Sequence, residues 1–476
     1  MSTKKLFINT MGCQMNVYDS GQIERRMAPF GFSATNVPEE ADLIIVNTCA
    51  IRAKAEQKAF SFLGRLAPLK RQNPELIIGV GGCVAQQEGQ RILSRMPQVD
   101  LVFGTQAIRR LPQTIERIAA SRCRVVDVEM ETTLSAEDFS TSAPSAPGVS
   151  EFVTIMRGCD NYCTYCVVPY VRGRESSRPP DEILLEIEAM VANGVREVTL
   201  LGQNVNSYGQ KEGLCRFDQL LAMVNEVDGL ERIRFTTSHP KDLSRELMAA
   251  FGSLEKLSPH IHLPVQSGSN RVLKRMNRRY TRERYVENIR QLRGILPEIA
   301  ITSDIIVGFP GESENDFEAT LDLIRLVEYD GLFAFIYSDR PNAPAAHFDQ
   351  KIPELKKKER LQAVLACQEQ FTLRKNQDLV GSAQKVLVEG TGKNFSAGQG
   401  NENRENLMSA RQWSGRTGTN KIVHFTEAPQ NDTPNQRLTG LTVEIMIERA
   451  MPHSLWGRHL SHPNGSMGKG EQTHAA

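Results

Sequence analysis

The chain has 476 residues, 40% of them hydrophobic, with 57 Lys and Arg against 56 Asp and Glu. That length exceeds one ordinary domain and predicts two to four, each with apolar residues enough for a core. A formal net charge of +1 excludes a bulk field for nucleic acid, so any such contact must come from a local patch. The N-terminus, Met1-Ser-Thr-Lys-Lys5, leads straight into a strand-like Leu6-Phe7-Ile8. It carries no apolar signal segment, and no run in the chain is long enough to span a bilayer. A cytoplasmic location is expected, where thiols stay reduced. The nine cysteines then read as metal ligands and bystanders, not disulfides.

Residues 4–120 alternate short apolar runs with helical patterns. Lys5–Asn9, Asp42–Thr48 and Leu76–Gly82 read as buried strands, and 17–30, 54–72 and 85–95 as helices. This predicts an N-terminal α/β domain with a parallel sheet. A cysteine closely follows each strand: Cys13, Cys49 and Cys83. Sites in open parallel sheets form beyond the carboxyl ends of the strands. The three thiols are therefore expected to converge on one edge as a three-cysteine site, although a lone free Cys is often a small core residue. Cys123, Cys215 and Cys367 fit no such pattern and read as bystanders. Residues 131–150 are rich in Ser, Thr, Ala and Pro and lack periodicity, the mark of a linker between a domain at 1–130 and the next.

From 151 the pattern becomes repeated strand–helix units. Strands are expected near 152–157, 196–202, 231–237, 260–265, 299–307 and 330–337, with helices at 181–193, 217–227, 243–253, 281–295 and 314–327. Six such units predict an open (β/α)6 barrel, whose site lies at the carboxyl ends of its strands. The first end carries Gly158-Cys-Asp-Asn-Tyr-Cys-Thr-Tyr-Cys166, a C-x3-C-x2-C run. It is too tight and too asymmetric for a usual zinc site, which pairs two ligands with two more further on. Cys159, Cys163 and Cys166 supply one thiolate fewer than the four that close a [4Fe–4S] cube. One iron would stay open for another ligand. The other five ends carry Gly202-Gln203-Asn204, Ser238-His239, Gln266-Ser267-Gly268, Asp304 with 308–312, and Tyr337-Ser338-Asp339-Arg340. Polar residues at six strand ends in step describe a site facing the cysteine run. His239, with no ligand-spaced partner, reads as structural or solvated.

Between the fourth and fifth strands, seven of the fourteen residues from Arg271 to Arg284 are Lys or Arg. They form either a solvated helix face or a phosphate-contacting patch. Residues 352–380 read as a long charged amphipathic helix that completes the 151–380 segment. Short runs at Gln384–Val388, Lys421–Phe425 and Leu441–Ile447 predict a small all-β barrel over 381–450, with a polar insertion at 396–412. Residues 451–476 read as a tail, polar and Gly-rich from Ser461 and mostly disordered.

The C-x3-C-x2-C run, with Tyr165 just before its last cysteine, resembles the signature of radical S-adenosylmethionine (SAM) enzymes. With Gly12-Cys-Gln-Met-Asn16, Asn47-Thr-Cys-Ala-Ile-Arg52 and Tyr170-Val-Arg-Gly-Arg-Glu175, the chain from residue 4 to about 457 is similar to the radical SAM methylthiotransferases. Gln14-Met15-Asn16 resembles the branch acting on isopentenyl adenosine in tRNA. The resemblance implies a SAM-binding [4Fe–4S] cluster on Cys159, Cys163 and Cys166, an auxiliary [4Fe–4S] cluster on Cys13, Cys49 and Cys83, and a C-terminal RNA-binding TRAM barrel. It further implies conversion of N6-(dimethylallyl)adenosine next to the anticodon into its 2-methylthio form. One SAM would supply a 5′-deoxyadenosyl radical and a second the methyl group. An electron donor such as a flavodoxin or ferredoxin is implied, and a monomer is expected. By their position on strand ends, Gln203, Asn204, Ser238, Gln266 and Asp304 are the candidates for holding SAM. One departure is Ser338–Ala345, where the family usually reads Arg-Pro-Gly-Thr; Asn342 there can still adopt a left-handed turn. Three alternatives stay open. The first is a sister enzyme acting on threonylcarbamoyl adenosine or a ribosomal protein. The second is a radical SAM enzyme using its N-terminal cysteines only structurally. The third is a non-enzymatic iron–sulfur RNA-binding sensor.

Overall fold

Leu43–Thr48 is buried at every position, as an inner strand covered on both faces requires. It is β3 of a six-stranded parallel sheet in a computed structural model that describes residues 4–50, 53–131, 148–391, 412–426 and 438–460. The strands are β1 (Lys4–Thr10), β2 (Phe32–Ala34), β3, β4 (Ile77–Gly82), β5 (Leu101–Phe103) and β6 (Val125–Asp127), in the order β2-β1-β3-β4-β5-β6. Helices Gln14–Met27 and Leu111–Ser121 pack on one face, around Ile23, Met27, Leu43, Ile45, Ile115 and Ile118. Helix Ala53–Gln72 covers the other through Ala59, Leu63 and Leu66. The order reverses between β1 and β3, the switch point at which such sheets open a crevice. Cys13 follows β1 and Cys49 follows β3. Cys83 opens the helix after β4.

The second layer is an open half-barrel of six parallel strands. They are β7 (Ser150–Thr154), β10 (Glu197–Leu201), β11 (Arg232–Phe235), β12 (His260–His262), β13 (Ala300–Val307) and β14 (Gly331–Ile336). Two three-stranded sheets, β11-β10-β7 and β12-β13-β14, are joined by a parallel bridge between Ile233 and Leu257. The strand expected at 152–157 is divided. β7 ends at Thr154, and Met156–Arg157 (β8) pairs antiparallel with Ser176–Ser177 (β9). That small ladder closes the base of the cysteine-bearing loop.

The N-terminal sheet and the half-barrel share packed surface within one compact unit that runs to Glu369. Met15 and Tyr18 of the first helix lie against Leu201 and Phe152 of the half-barrel. Ala50, Cys83 and Val84 form an apolar seam with Val167, Val171 and Ala343. A buried ion pair crosses between the two parts, Arg172 Nη2 to Asp19 Oδ2 at 2.7 Å.

The second unit, from Gln370, begins inside helix Glu354–Gln377. It holds a closed five-stranded barrel, β15 (Ala383–Thr391), β16 (Gln412–Thr417), β17 (Ile422–Thr426), β18 (Thr442–Ala450) and β19 (Leu455–His459), in the order β15-β16-β17-β19-β18. Trp413, Phe425, Val386, Ile445 and Leu455 fill it. The barrel thus extends past the sequence-based boundary at 450. Leu455-Trp456-Gly457 closes it, pairing parallel with β17 and antiparallel with β18. Most of the 131–150 linker, all but the end of the 396–412 insertion, and the tail from Ser461 lie outside the described residues. No helix of the described residues is long and apolar enough to cross a membrane.

Candidate active site

The loop bearing Cys159, Cys163 and Cys166 is fixed before any ligand enters. Gly158 sits at φ +76°, and a Cβ there would fall 2.0 Å from the Arg174 carbonyl oxygen, so only glycine lets the loop start. Thr164 N donates to Met276 O (3.1 Å), Thr164 Oγ1 donates to Arg275 O (3.0 Å), and Asn277 Nδ2 donates to Tyr162 O (3.0 Å). Lys241 Nζ donates to Asn161 Oδ1 at 2.7 Å. The loop is therefore stitched to two other strand-end segments. Burial pushes the Cys159 thiol up to about 11 and the Cys166 thiol up to about 12. Buried thiols of this kind would be carried as thiolates once the irons of a bound cluster take the place of their protons.

The second set lies at the sheet's switch point. Asn16 Nδ2 donates to Asn47 Oδ1 and to Thr48 O, both at 3.0 Å, and Asn47 Nδ2 donates back to Asn16 O at 2.9 Å. This reciprocal clamp holds the first turn of helix Gln14–Met27 against the end of β3. Gly82, at φ +90°, would place a Cβ 2.3 Å from Thr48 O, so glycine is needed where Cys83 meets Cys49's strand. A hydrogen bond with Cys49 lowers the Cys13 thiol to about 6 against its burial, and the Arg172 charge adds to the effect. Burial raises Cys83, opposed by Arg172. All six cysteines are free. Among the described residues no three His, Cys, Asp or Glu side chains close around a single ion; a cluster that takes one thiolate per iron asks for a wider set.

The five residues expected to hold SAM divide by their partners. Gln203 Oε1 accepts the Gly158 N–H at 2.5 Å, which ties it to the cysteine loop, and its Nε2 is buried without a partner. Ser238 Oγ and Gln266 Oε1 are likewise buried and unpaired. Buried polar groups normally find partners, so three orphaned atoms at three strand ends fit a polar ligand. Asn204, by contrast, is committed to the fold. Its Nδ2 donates to Ser207 Oγ (2.9 Å) and Asp242 Oδ2 (2.8 Å), and its Oδ1 accepts from His239 N (3.2 Å). Asp304 is half-buried on β13, 3.5 Å from His262 Nε2. Gln266 bridges Ile305, beside Asp304. In the departing loop after β14, Asn342 takes a left-handed φ of +69° and leads Ala343 into the apolar seam.

Two residues come closer to the cysteine loop than sequence reasoning expected. Of the two readings open for His239, structural or solvated, the buried one holds: its Nε2 lies 4.0 Å from Cys163 Sγ. Arg278, read within a basic patch, is buried with Nη1 3.5 Å from the same sulfur. Asn277 and Arg279 flank it, both at φ +59°, and this double left-handed kink carries Arg278 inward. No spacing in the sequence signals either approach.

The family described as the Radical SAM superfamily matches residues 153–324. Residues 5–104 match the uncharacterized protein family UPF0004. The chain is 56% identical to the tRNA-2-methylthio-N(6)-dimethylallyladenosine synthase of Desulfosudis oleivorans, over 95% of this chain and 96% of that one. It is 49% identical to the protein of the same name from Syntrophus aciditrophicus, over 97% and 95% of the two chains. Among solved structures, the radical S-adenosylmethionine methyltransferase TsrM of Kitasatospora setae aligns with a TM-score of 0.54 at 14% identity, covering 72% of this chain and 75% of that one. At that identity the likeness concerns the fold alone.

Proposed function

The chain belongs to the tRNA-2-methylthio-N(6)-dimethylallyladenosine synthase family, and on that premise we propose that it methylthiolates N6-(dimethylallyl)adenosine next to the anticodon of tRNA by radical SAM chemistry. The observation that supports this reading is the seam of Ala50, Cys83, Val84, Val167, Val171 and Ala343. Through Cys83 it joins the sheet's cysteine set to Val167, the residue that follows Cys166 in the half-barrel's loop. The carbon to be modified carries an aromatic C–H of no useful acidity, which no side chain can deprotonate, so a cofactor must carry the step. When bound, a cluster on Cys159, Cys163 and Cys166 would supply the electron that cleaves SAM, and one on Cys13, Cys49 and Cys83 would carry the sulfur. Gln203, Ser238 and Gln266 offer SAM their unpaired polar atoms. Asp304 lines the half-buried face of β13 beneath them. Asn204 holds the loop that carries His239.

A base splayed from its single-stranded loop, as is usual in RNA recognition, would have to reach both cysteine sets. The protein would work as a monomer in the cytoplasm, with a flavodoxin or ferredoxin as electron donor. The test is nucleoside analysis of tRNA carrying the dimethylallyl group after reaction with SAM and reductant, with the 2-methylthio nucleoside as the expected product.

The basic stretch contributes to RNA binding through fewer residues than its sequence offers. Arg278 is buried, and Arg271 is paired with Asp316. Lys274, Arg279 and Arg284 are exposed. Reversing these three to Glu is expected to weaken tRNA binding. It should also reduce the salt dependence by about 0.7 to 0.9 in log–log slope for each phosphate that is no longer neutralised. Filter binding across a salt series measures this, and an unchanged slope would make the stretch a solvated face.

A further inference from the structure

Cys163 differs from the other two cysteines of its loop in having two N–H groups from distant segments turned toward its sulfur. Arg278 Nη1 lies 3.5 Å away and His239 Nε2 4.0 Å. The His239 tautomer is fixed by its other nitrogen. Nδ1 accepts the backbone N–H of Lys241 at 3.2 Å. A ring nitrogen that accepts carries no proton, so the proton sits on Nε2, facing the sulfur. Arg278 is held on its remaining sides. Nε meets Tyr280 OH at 3.0 Å, Nη2 donates to Pro264 O at 2.6 Å, and Nη1 also reaches Tyr165 OH at 3.4 Å.

The charge balance of Arg278 is the unusual feature. Arg172, Arg178 and Arg360 are equally buried, and each pairs with a buried carboxylate: Asp19, Glu186 and Glu312. Arg278 is 4% exposed, and its hydrogen-bond partners are two tyrosine hydroxyls, a carbonyl and a cysteine. A cation taken out of water without a counter-charge is strongly disfavoured. The place a carboxylate fills at the other arginines is filled here by Cys163. A cube bound by three thiolates is anionic, and it becomes more so on reduction.

We propose that Arg278 is the buried counter-charge of the cluster held by Cys159, Cys163 and Cys166, and that with His239 it hydrogen-bonds the Cys163 thiolate and raises the cluster's reduction potential. Both are positioning residues. They act on the cluster's sulfur ligand, and N–H···S bonds and a nearby cation favour the more negative, reduced state. The inference rests on the reading of those three cysteines as cluster ligands.

The experiment is an EPR-monitored redox titration of reconstituted full-length protein, following the signal that responds to SAM, with iron counted for each variant. Arg278→Gln is expected to move the midpoint to more negative potential. Arg278→Lys, which keeps the charge and loses the fork, should move it less. His239→Phe should move it in the same direction by less than Arg278→Gln. Loss of iron from Arg278→Gln with retention in Arg278→Lys also supports the proposal, because those two differ in charge. A wild-type midpoint in fully loaded Arg278→Gln, or equal effects of Arg278→Gln and Arg278→Lys, would overturn it and leave Arg278 a packing residue. If the wild-type protein shows no SAM-responsive signal while binding iron elsewhere, the ligand reading itself falls, and the counter-charge falls with it.

Discussion

Replacing any one of Cys159, Cys163 or Cys166 with Ala is expected to abolish cleavage of SAM to 5′-deoxyadenosine. A cube with two thiolates loses its anchorage, and with it the open iron that SAM would occupy. The fold should survive the change. The loop is held by bonds that use no sulfur: Thr164 to Met276 and Arg275, Asn277 to Tyr162, Lys241 to Asn161, and the glycine entry at 158. Iron should fall from about eight per chain to about four, with the melting temperature of the metal-free protein lowered by no more than a small cavity at a buried thiol costs, about 1 kcal/mol. Cleavage at the wild-type rate in any of the three would remove the assignment.

The triple variant Cys13→Ala, Cys49→Ala, Cys83→Ala should separate the two sets. It is expected to bind about four irons, to cleave SAM, and to make no methylthio product. Radical generation needs only the half-barrel's cluster, whereas sulfur insertion needs both. The sheet and the half-barrel are packed together, yet the substitutions should leave that packing in place. Of the three thiols, Cys83 lies in the shared seam, and a methyl-sized cavity there costs about 1 kcal/mol. Cys13 packs at the edge of the Met15, Tyr18 and Leu201 cluster, where Ala keeps the Cβ, and the Arg172–Asp19 ion pair uses no sulfur. Methylthiolation by the triple variant would show that the sulfur is carried elsewhere. Loss of SAM cleavage at four irons would show that the N-terminal set supports the first step.

What the sequence made legible was local. Thiol spacing announced the C-x3-C-x2-C loop, and apolar runs of five to eight residues announced β3, β4 and β13. The three-residue strands Phe32–Ala34, Leu101–Phe103 and Val125–Asp127 are too short for a period to register. β16 was hidden because Gln412-Trp-Ser-Gly-Arg-Thr417 has few apolar residues to alternate. The candidate SAM residues were found by position on strand ends, a rule that located orphaned atoms on Gln203, Ser238 and Gln266. The same rule could not tell that Asn204's amide is spent on Ser207 and Asp242. Arg278 was illegible for a different reason. Its burial is decided by tertiary packing and by two left-handed residues, and an arginine among six other cations reads as solvated until the chain is folded.

The nucleosides of the product tRNA give the most direct test of the proposed reaction. Protein reconstituted anaerobically to about eight irons, given SAM, a reductant and tRNA carrying N6-(dimethylallyl)adenosine, should yield 2-methylthio-N6-(dimethylallyl)adenosine on digestion and chromatography with mass detection. Unchanged dimethylallyl adenosine from fully loaded protein that cleaves SAM, or a methylthio group found instead on threonylcarbamoyl adenosine, would contradict it.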